Sequence, residues 1–259
     1  MRMLRIVPFF ILYGCVSSWC FPPEFREEII ETEKYNILTY QRLSDSISPV
    51  HIYIEGDGHA FNGAGYPTSN PTPRGKFLRG LAAHDRHVNV VYMARPCQYI
   101  LSKKCSKSDW TIGRFSAEVI ESMSNAIKQV AQNRPVVLIG YSGGAMVSGL
   151  VILRSSDINI EQWITIAGVL NHSDWTEYFG DAPLSMSLDM SNLPDVNQIH
   201  YIADGDTVVP NSLSYKWLSD KRLELLPESS HTNFPNIKLD FAIDEQYQKE
   251  PKPVSTKSH

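Results

Sequence analysis

The chain has no run of apolar residues approaching the roughly 20 that a membrane-spanning helix needs, so a bundle of spanning helices is excluded. It has no excess of basic charge. Lys and Arg total 24 against 28 Asp and Glu, a net charge of −4, and the basic pieces "KRLE" and "SKKCSK" are short and isolated. Without a basic stripe there is no electrostatic footprint for nucleic acid, and no nucleic-acid partner is expected. No internal repeat is visible. No H-x-x-x-H spacing marks a metal site, and no G-x-G-x-x-G opens a helix after a strand, so neither a metal nor an organic cofactor is expected. Cysteine is scarce, four in 259 residues, too few for a disulfide framework or a convincing zinc site.

What is present is an ordinary globular composition, 42% apolar and 20% charged. A chain of this length can bury roughly 70–75% of its unfolded surface in one core. The first twenty residues stand apart. "MRMLRIVPFFILYGCVSSWC" begins with two arginines, runs apolar from Ile6 to Tyr13 and reaches Gly14-Cys15, the pattern of a secretory signal over residues 1–20. A buried first strand or helix is the structural alternative. The end "LYGC" resembles a bacterial lipobox, in which Cys15 would carry lipid and anchor the protein to a membrane, although Tyr13 is bulkier than that motif usually has. Export to the periplasm or cell envelope is the expectation. An oxidising compartment would let Cys97 and Cys105 pair, closing a ring worth about 2.5 kcal/mol by loop entropy. Cys20 is left over. Residues 21–245 read as one domain and the polar, proline-containing 246–259 as a disordered tail.

Along that domain, a polar and loosely ordered segment precedes strands at "YNILTYQRL", "PVHIYIEG" and "HVNVVYMARP". "DGHAFNGAGYPTSNPTPRG" is a long loop rich in Gly, Pro, Asn and Ser. Phe115, Val119, Ile120, Met123, Ile127 and Val130 recur at helical spacing. "RPVVLIG" is a strand of the doubly buried kind, and a helix follows directly. Then come strand "QWITIAG", loop "NHSDWTEYFGDAPL", strand "NQIHYIAD", helix "PNSLSYKWLSD", strand "RLELLPE" and a last helical piece near "FPNIKLDFAI". Alternating strands and helices predict an α/β fold on a parallel sheet with right-handed crossovers.

The chemistry-bearing stretch is "GYSGG". Ser142 lies between Gly140 and Gly144, after a buried strand and before an apolar helix, which is the context that gives G-x-S-x-G meaning. A sharp turn there would lift the hydroxyl out of the sheet, and the helix N-terminus would present free N–H groups to a developing oxyanion. An incidental serine in a glycine-rich turn is the structural reading. A serine hydroxyl needs a base, and the base an orienting acid. On this architecture the acid and then the histidine follow the serine. Asp206, opening "DTVVP" after a strand, is the preferred acid with Asp204 as alternative. His231 in "SSHTNF" is the preferred base. His172 is its rival, in a loop at the same sheet edge, and His200 reads as a structural histidine within a strand. Gly143 N–H is one expected oxyanion donor, and the N–H of Asp57 in "IEGDGHAF" the other, with Gly58 as alternative.

Taken in order, "IEGDG", "GYSGG", "DGDTVVP" and "SSHTNF" resemble the α/β-hydrolase superfamily. Within it, "YIEGDGHAF…PTPRG…VVYMARPCQY…RFSAEV…IGYSGGA" is similar to exported or lipoprotein bacterial hydrolases. The resemblance implies the α/β-hydrolase fold, a mostly parallel central sheet with helices on both faces, and serine-hydrolase chemistry without a cofactor. Glu55-Gly56 stands where many members have His-Gly. Only about thirty residues separate "QWITIAG" from "NQIHYIAD", so a small cap or none is expected. Substrate selection would then fall to the loops, where Phe61, Trp110 and Trp175 are candidate substrate-binding residues and either form an acyl pocket or pack as core edge. Arg74 would meet a substrate carboxylate or hold its loop.

Two readings compete. One is a serine hydrolase acting on a small or lipid-like carboxylic ester or thioester, with acyl transfer and peptide cleavage as variants of the same machinery. The other is a surface-anchored, non-catalytic binding protein on a hydrolase scaffold.

Overall fold

A computed structural model describes residues 21–218 and 221–241. The signal and lipobox expectations at residues 1–20, Cys20 and the tail at 246–259 lie outside the described residues. Eight strands form one sheet: β1 Arg26–Glu31, β2 Asn36–Leu43, β3 Val50–Ile54, β4 Asn89–Met93, β5 Val136–Tyr141, β6 Ile160–Ile166, β7 Gln198–Ala203 and β8 Arg222–Leu226. Their order is β1-β2-β4-β3-β5-β6-β7-β8. The β1–β2 and β2–β4 pairings are antiparallel, and every pairing from β4 to β8 is parallel. The helices are α1 Phe77–His84, α2 Ala117–Ala131, α3 Gly143–Arg154, α4 His172–Phe179 and α5 Asn211–Trp217.

The central strands are apolar on both faces because both faces are covered. All residues of β3, β4, β5 and β7 are buried. On one face α2 and α3 pack Val119, Ile120, Met123, Met146 and Val147 into a core that also holds Ile52, Leu138 and Trp163. On the other, Leu78 and Ala82 of α1 join Tyr53, Tyr92, Ile139 and Phe234. Helix α2 starts where Ser116 accepts a hydrogen bond from Val119 N–H and ends at Gln132 in the left-handed region.

Four elements differ from the sequence reading. Residues 26–31, read as loosely ordered, form edge strand β1, paired from Arg26–Gln41 to Glu31–Asn36. Its order comes from the backbone ladder, and its exposed charged side chains protect the edge while hiding the apolar alternation that marks a strand. The "NHSDWTEYF" loop is helix α4: Asn171 Oδ1 accepts from Asp174 N–H, and Gly180 closes the far end in the left-handed region. Helix α1, not anticipated, supplies one face of the core. Residues 234–241, expected as helix, are a turn followed by irregular chain. Asn236 sits at φ 64°, in the left-handed region, so a helix starting at Phe234 or Pro235 is broken within its first turn. Ile237, Leu239 and Phe241 nevertheless pack on the sheet where a helix would have covered it.

Between β6 and β7 only α4 intervenes among residues 167–197, so there is no lid domain. Among the described residues no helix is long and apolar enough to cross a membrane. Cys97 and Cys105 form a disulfide across a sequence separation of 8. Replacing both by serine should lower unfolding stability by about 2.5 kcal/mol. Urea titration with and without dithiothreitol checks this: reductant should weaken the wild type and leave the double variant unchanged.

Candidate active site

Strand β5 ends at Tyr141 and helix α3 begins at Gly143, so Ser142 alone makes the turn. It does so at φ 52° and ψ −122°, a conformation that costs on the order of 1–3 kcal/mol for a residue with a side chain. The neighbouring glycines make the turn possible. A Cβ on Gly140 would come within 2.6 Å of Ala145 Cα and of Ser148 Oγ, and one on Gly144 within 2.7 Å of Glu55 O. The serine hydroxyl makes no cap to its own helix and is left for another partner.

That partner is His231, whose Nε2 is 3.0 Å from Ser142 Oγ. His231 Nδ1 is 2.9 Å from Asp206 Oδ2. The other Asp206 oxygen accepts the N–H groups of Val208 and Val209, each at 2.8 Å, so the carboxylate is held on both sides. Asp206 follows β7 and His231 follows β8, which brings residues 25 apart in sequence to the same sheet edge as the serine. Asp204 does something else: its carboxylate accepts Glu228 and Ser229 N–H at 3.0 and 3.1 Å and ties down the loop that carries His231. Tyr141 O–H donates to His231 O at 2.9 Å and fixes the same loop from the nucleophile side.

The other histidines are elsewhere. His200 is buried between Thr165 Oγ1 at 2.8 Å and Gln198 Oε1 at 3.0 Å, and burial, aided by Lys221, pushes its pKa down to about 3. His172 opens α4, its backbone N–H donating to Asp189 Oδ1 at 3.1 Å, and its ring makes no hydrogen bond to Ser142.

The loop after β3 runs beside Ser142. A Cβ on Gly56 would stand 3.1 Å from Ser142 Cβ, and the Asp57 carboxylate lies directly over Gly143. The backbone N–H groups of Gly143, Asp57 and Gly58 have no hydrogen-bond acceptor among the described residues, as oxyanion donors require. Gly58, at φ 64°, is turned under Pro73 and Gln98.

The sequence reading missed what surrounds Asp57. Arg95 Nη1 donates to Asp57 Oδ1, and Arg114 Nε lies 3.1 Å from Oδ2. Burial opposes the charge on Asp57, but the guanidinium groups of Arg114 and Arg95 outweigh it and hold the carboxyl below its ordinary pKa. A lone carboxylate here would repel any negative charge arising beside Ser142, and the two guanidinium groups offset it. Arg95 closes the apolar strand "VVYMAR", a placement that could have drawn notice. Arg114 sits in a loop with no such signal. Glu55 is also buried, accepting Gly56 N–H at 2.9 Å and Tyr92 O–H at 2.8 Å, and burial raises its pKa.

A cavity of about 320 Å³ opens on Ser142 and His231. Trp175 lines it, its indole N–H donating to Val208 O at 2.8 Å. Phe61 does not line it but lies at its margin, 39% exposed, with its ring 5.9 Å from the Arg114 guanidinium carbon. The expectation for Trp110 needs correction. The 3-10 turn Lys107–Trp110, closed by the reciprocal Ser106–Asp109 cap, turns its ring inward, so Trp110 packs in the core behind the arginine pair. Arg74 lines the cavity from an exposed position. Among the described residues no cluster of His, Cys, Asp or Glu could hold a metal ion.

The sheet order and the strand-end serine, acid and histidine decide the architecture. The fold is the α/β-hydrolase fold. An α/β serine hydrolase without lid from Xanthomonas campestris superimposes with a TM-score of 0.54 at 16% identity, over 83% of this chain and 89% of that one. Est1E from Butyrivibrio proteoclasticus gives 0.56 at 12% identity over 80% and 90%. A serine hydrolase from the polyaromatic-hydrocarbon-degrading Cycloclasticus zankles gives 0.55 at 10% over 80% and 91%. No protein-family model and no curated protein sequence matches the chain.

Two predictions test this construction. Gly144→Ala should cost about 1–3 kcal/mol of stability through overpacking and lose serine reactivity out of proportion, because the clash with the β3 end displaces the elbow. Urea titration beside fluorophosphonate labelling reads both. A carboxyl whose pKa is raised on folding stabilises most when protonated, and that contribution is lost as pH rises through the folded value. The melting temperature of Glu55→Gln relative to wild type should therefore rise as pH climbs above the ordinary carboxylate range, the difference between the two curves isolating Glu55 from His200, whose depressed pKa works in the opposite direction.

Proposed function

We propose that the protein is a serine hydrolase that cleaves a carboxylic ester or thioester through an acyl-enzyme. The observation that carries this reading is the unbroken relay Ser142 Oγ, His231 Nε2, His231 Nδ1, Asp206 Oδ2, with steps of 3.0 and 2.9 Å. In this reading Ser142 Oγ attacks the carbonyl while His231 takes its proton, and Asp206 stabilises the imidazolium. The N–H groups of Gly143 and Asp57 receive the oxyanion. Collapse breaks the carbon–oxygen or carbon–sulfur bond, and the leaving group departs with the proton from His231. Water, deprotonated by His231, then attacks the acyl-serine and releases the acid.

The absence of a lid domain leaves the cavity open to a small ester, and Trp175 offers it an apolar wall. The site of action in this reading is outside the cytoplasm. The signal-like first twenty residues support it, as does the Cys97–Cys105 disulfide, a cross-link that persists in oxidising compartments. An N-terminal lipid on Cys15 would hold the enzyme at a membrane.

Fluorophosphonate labelling of purified protein is the direct test. Wild type should label at Ser142, and Ser142→Ala and His231→Ala should not. Asp206→Asn should keep the fold and lower turnover of an activated ester by about 10⁴-fold, since the imidazole loses its orienting charge. Folded wild type that takes no label would overturn the reading in favour of a binding protein.

A further inference from the structure

The end of the cavity away from the triad relay is built for an anion. Arg114 is 5% exposed, and Asp57 engages only its Nε side. Its two terminal nitrogens have no hydrogen-bond acceptor among the described residues, although Arg114 lines the cavity. The guanidinium is framed by aromatic rings, with Phe115 at 5.6 Å and Trp175 at 5.7 Å from its central carbon.

His172 is the second, independent observation. It lines the same cavity, is 5% exposed, and neither ring nitrogen makes a well-formed hydrogen bond, although the backbone carbonyls of Ser187 and Leu188 stand near the ring. The Asp189 carboxylate stands 3.7 Å from Nε2, in ion-pair range only. Burial lowers the pKa of His172, which leaves one N–H to donate without a charge of its own. A buried imidazole without a well-formed hydrogen bond is costly, and a ligand atom that accepts from it would relieve that cost. Arg74 and Lys76, both exposed, add positive charge at the rim. Arg95 already offsets the Asp57 carboxylate, so Arg114 brings a surplus charge to the cavity.

We propose that Arg114 and His172 form a carboxylate subsite, and that the substrate is an ester carrying a second, free carboxylate close to the scissile carbonyl. This rests on the hydrolase reading of the same cavity. The planar guanidinium offers its two terminal nitrogens to both oxygens of a carboxylate, and His172 adds an N–H. The position of Asp57 brings the subsite near the nucleophile: its carboxylate touches Gly143 on one side and Arg114 on the other. The substrate class is therefore a short half-ester of a dicarboxylic acid, hydrolysed with water to the dicarboxylate and a free alcohol.

The test compares 4-nitrophenyl hemiglutarate with neutral 4-nitrophenyl butyrate. Wild type should prefer the anionic ester by about tenfold or more in kcat/KM, the scale of a hydrogen bond to a charged group. Arg114→Gln should collapse that ratio towards one, and Arg114→Lys should restore part of it. A merely structural Arg114 would lower both rates together and leave the ratio unchanged, which would overturn the proposal. His172→Phe, which keeps the ring stack on Phe115, should reduce the ratio more mildly. Glutarate binding by calorimetry supplies a readout independent of turnover: loss of binding in Arg114→Gln supports the subsite, and no binding to wild type sinks it. Fluorophosphonate labelling keeps the two readings apart, because a wild type that labels yet shows no preference for the anionic ester and no glutarate binding refutes the subsite alone.

Discussion

The end of β3 and the start of α3 approach so closely that only hydrogen fits between them. Gly144 meets the backbone carbonyl of Glu55 there, and Gly140 meets Ala145 and Ser148 on the other side of the turn. This contact holds the helix N-terminus under the sheet edge and leaves Ser142 no conformation but the strained one. It also brings the loop after β3 across the turn, so that Gly56 and Asp57 lie against Ser142 and Gly143. The strain is sustained by tertiary packing, since every residue of β5 and the first nine residues of α3, Gly143 to Val151, are buried.

Around that contact the polar groups are ordered in two opposed sets. On one side the Asp206–His231 pair is tied to the protein by Val208, Val209 and Tyr141, and Asp204 anchors the loop beneath. Each tie is a short bond to backbone, which positions the imidazole better than a side-chain contact would. On the other side Asp57, Arg95 and Arg114 form a buried cluster with more positive than negative charge. Buried ions add little to stability once desolvation is counted, so a cluster of this kind is more informative about chemistry than about folding. Its surplus faces the cavity where the substrate would lie.

The absence of a lid gives the surface loops a larger share of recognition. The disulfide between Cys97 and Cys105 pins the loop that follows Arg95, and the capped turn at Lys107–Trp110 leads directly to Arg114. Trp110 is therefore part of the frame that holds the arginines from behind, and Trp175 is part of the cavity wall in front. The two tryptophans looked equivalent in sequence. Their difference comes from one turn pointing inward and one helix lying across the opening.

The sequence by itself determined the parallel core strands, the α2 and α3 helices, the elbow and the chain order of serine, acid and histidine. These are local signals: an apolar run of strand length, helical spacing and glycines around a serine need no distant partner to be read. Edge strand β1 was invisible because its order comes from the ladder with β2 and not from its own side chains. The segment after Phe234 read as helical from its apolar residues, yet the left-handed Asn236 decides otherwise. Asp206 was preferred to Asp204 in sequence only for its place at the head of "DTVVP", and the arrival of His231 from a different strand end is what separates their roles. Arg114 and His172 meet across 58 positions of chain, and the cavity they share exists only once β6 and the loop before α2 are folded onto one sheet edge. Burial and charge balance are properties of that assembled edge, so tertiary structure alone decided which anion-binding groups face the serine.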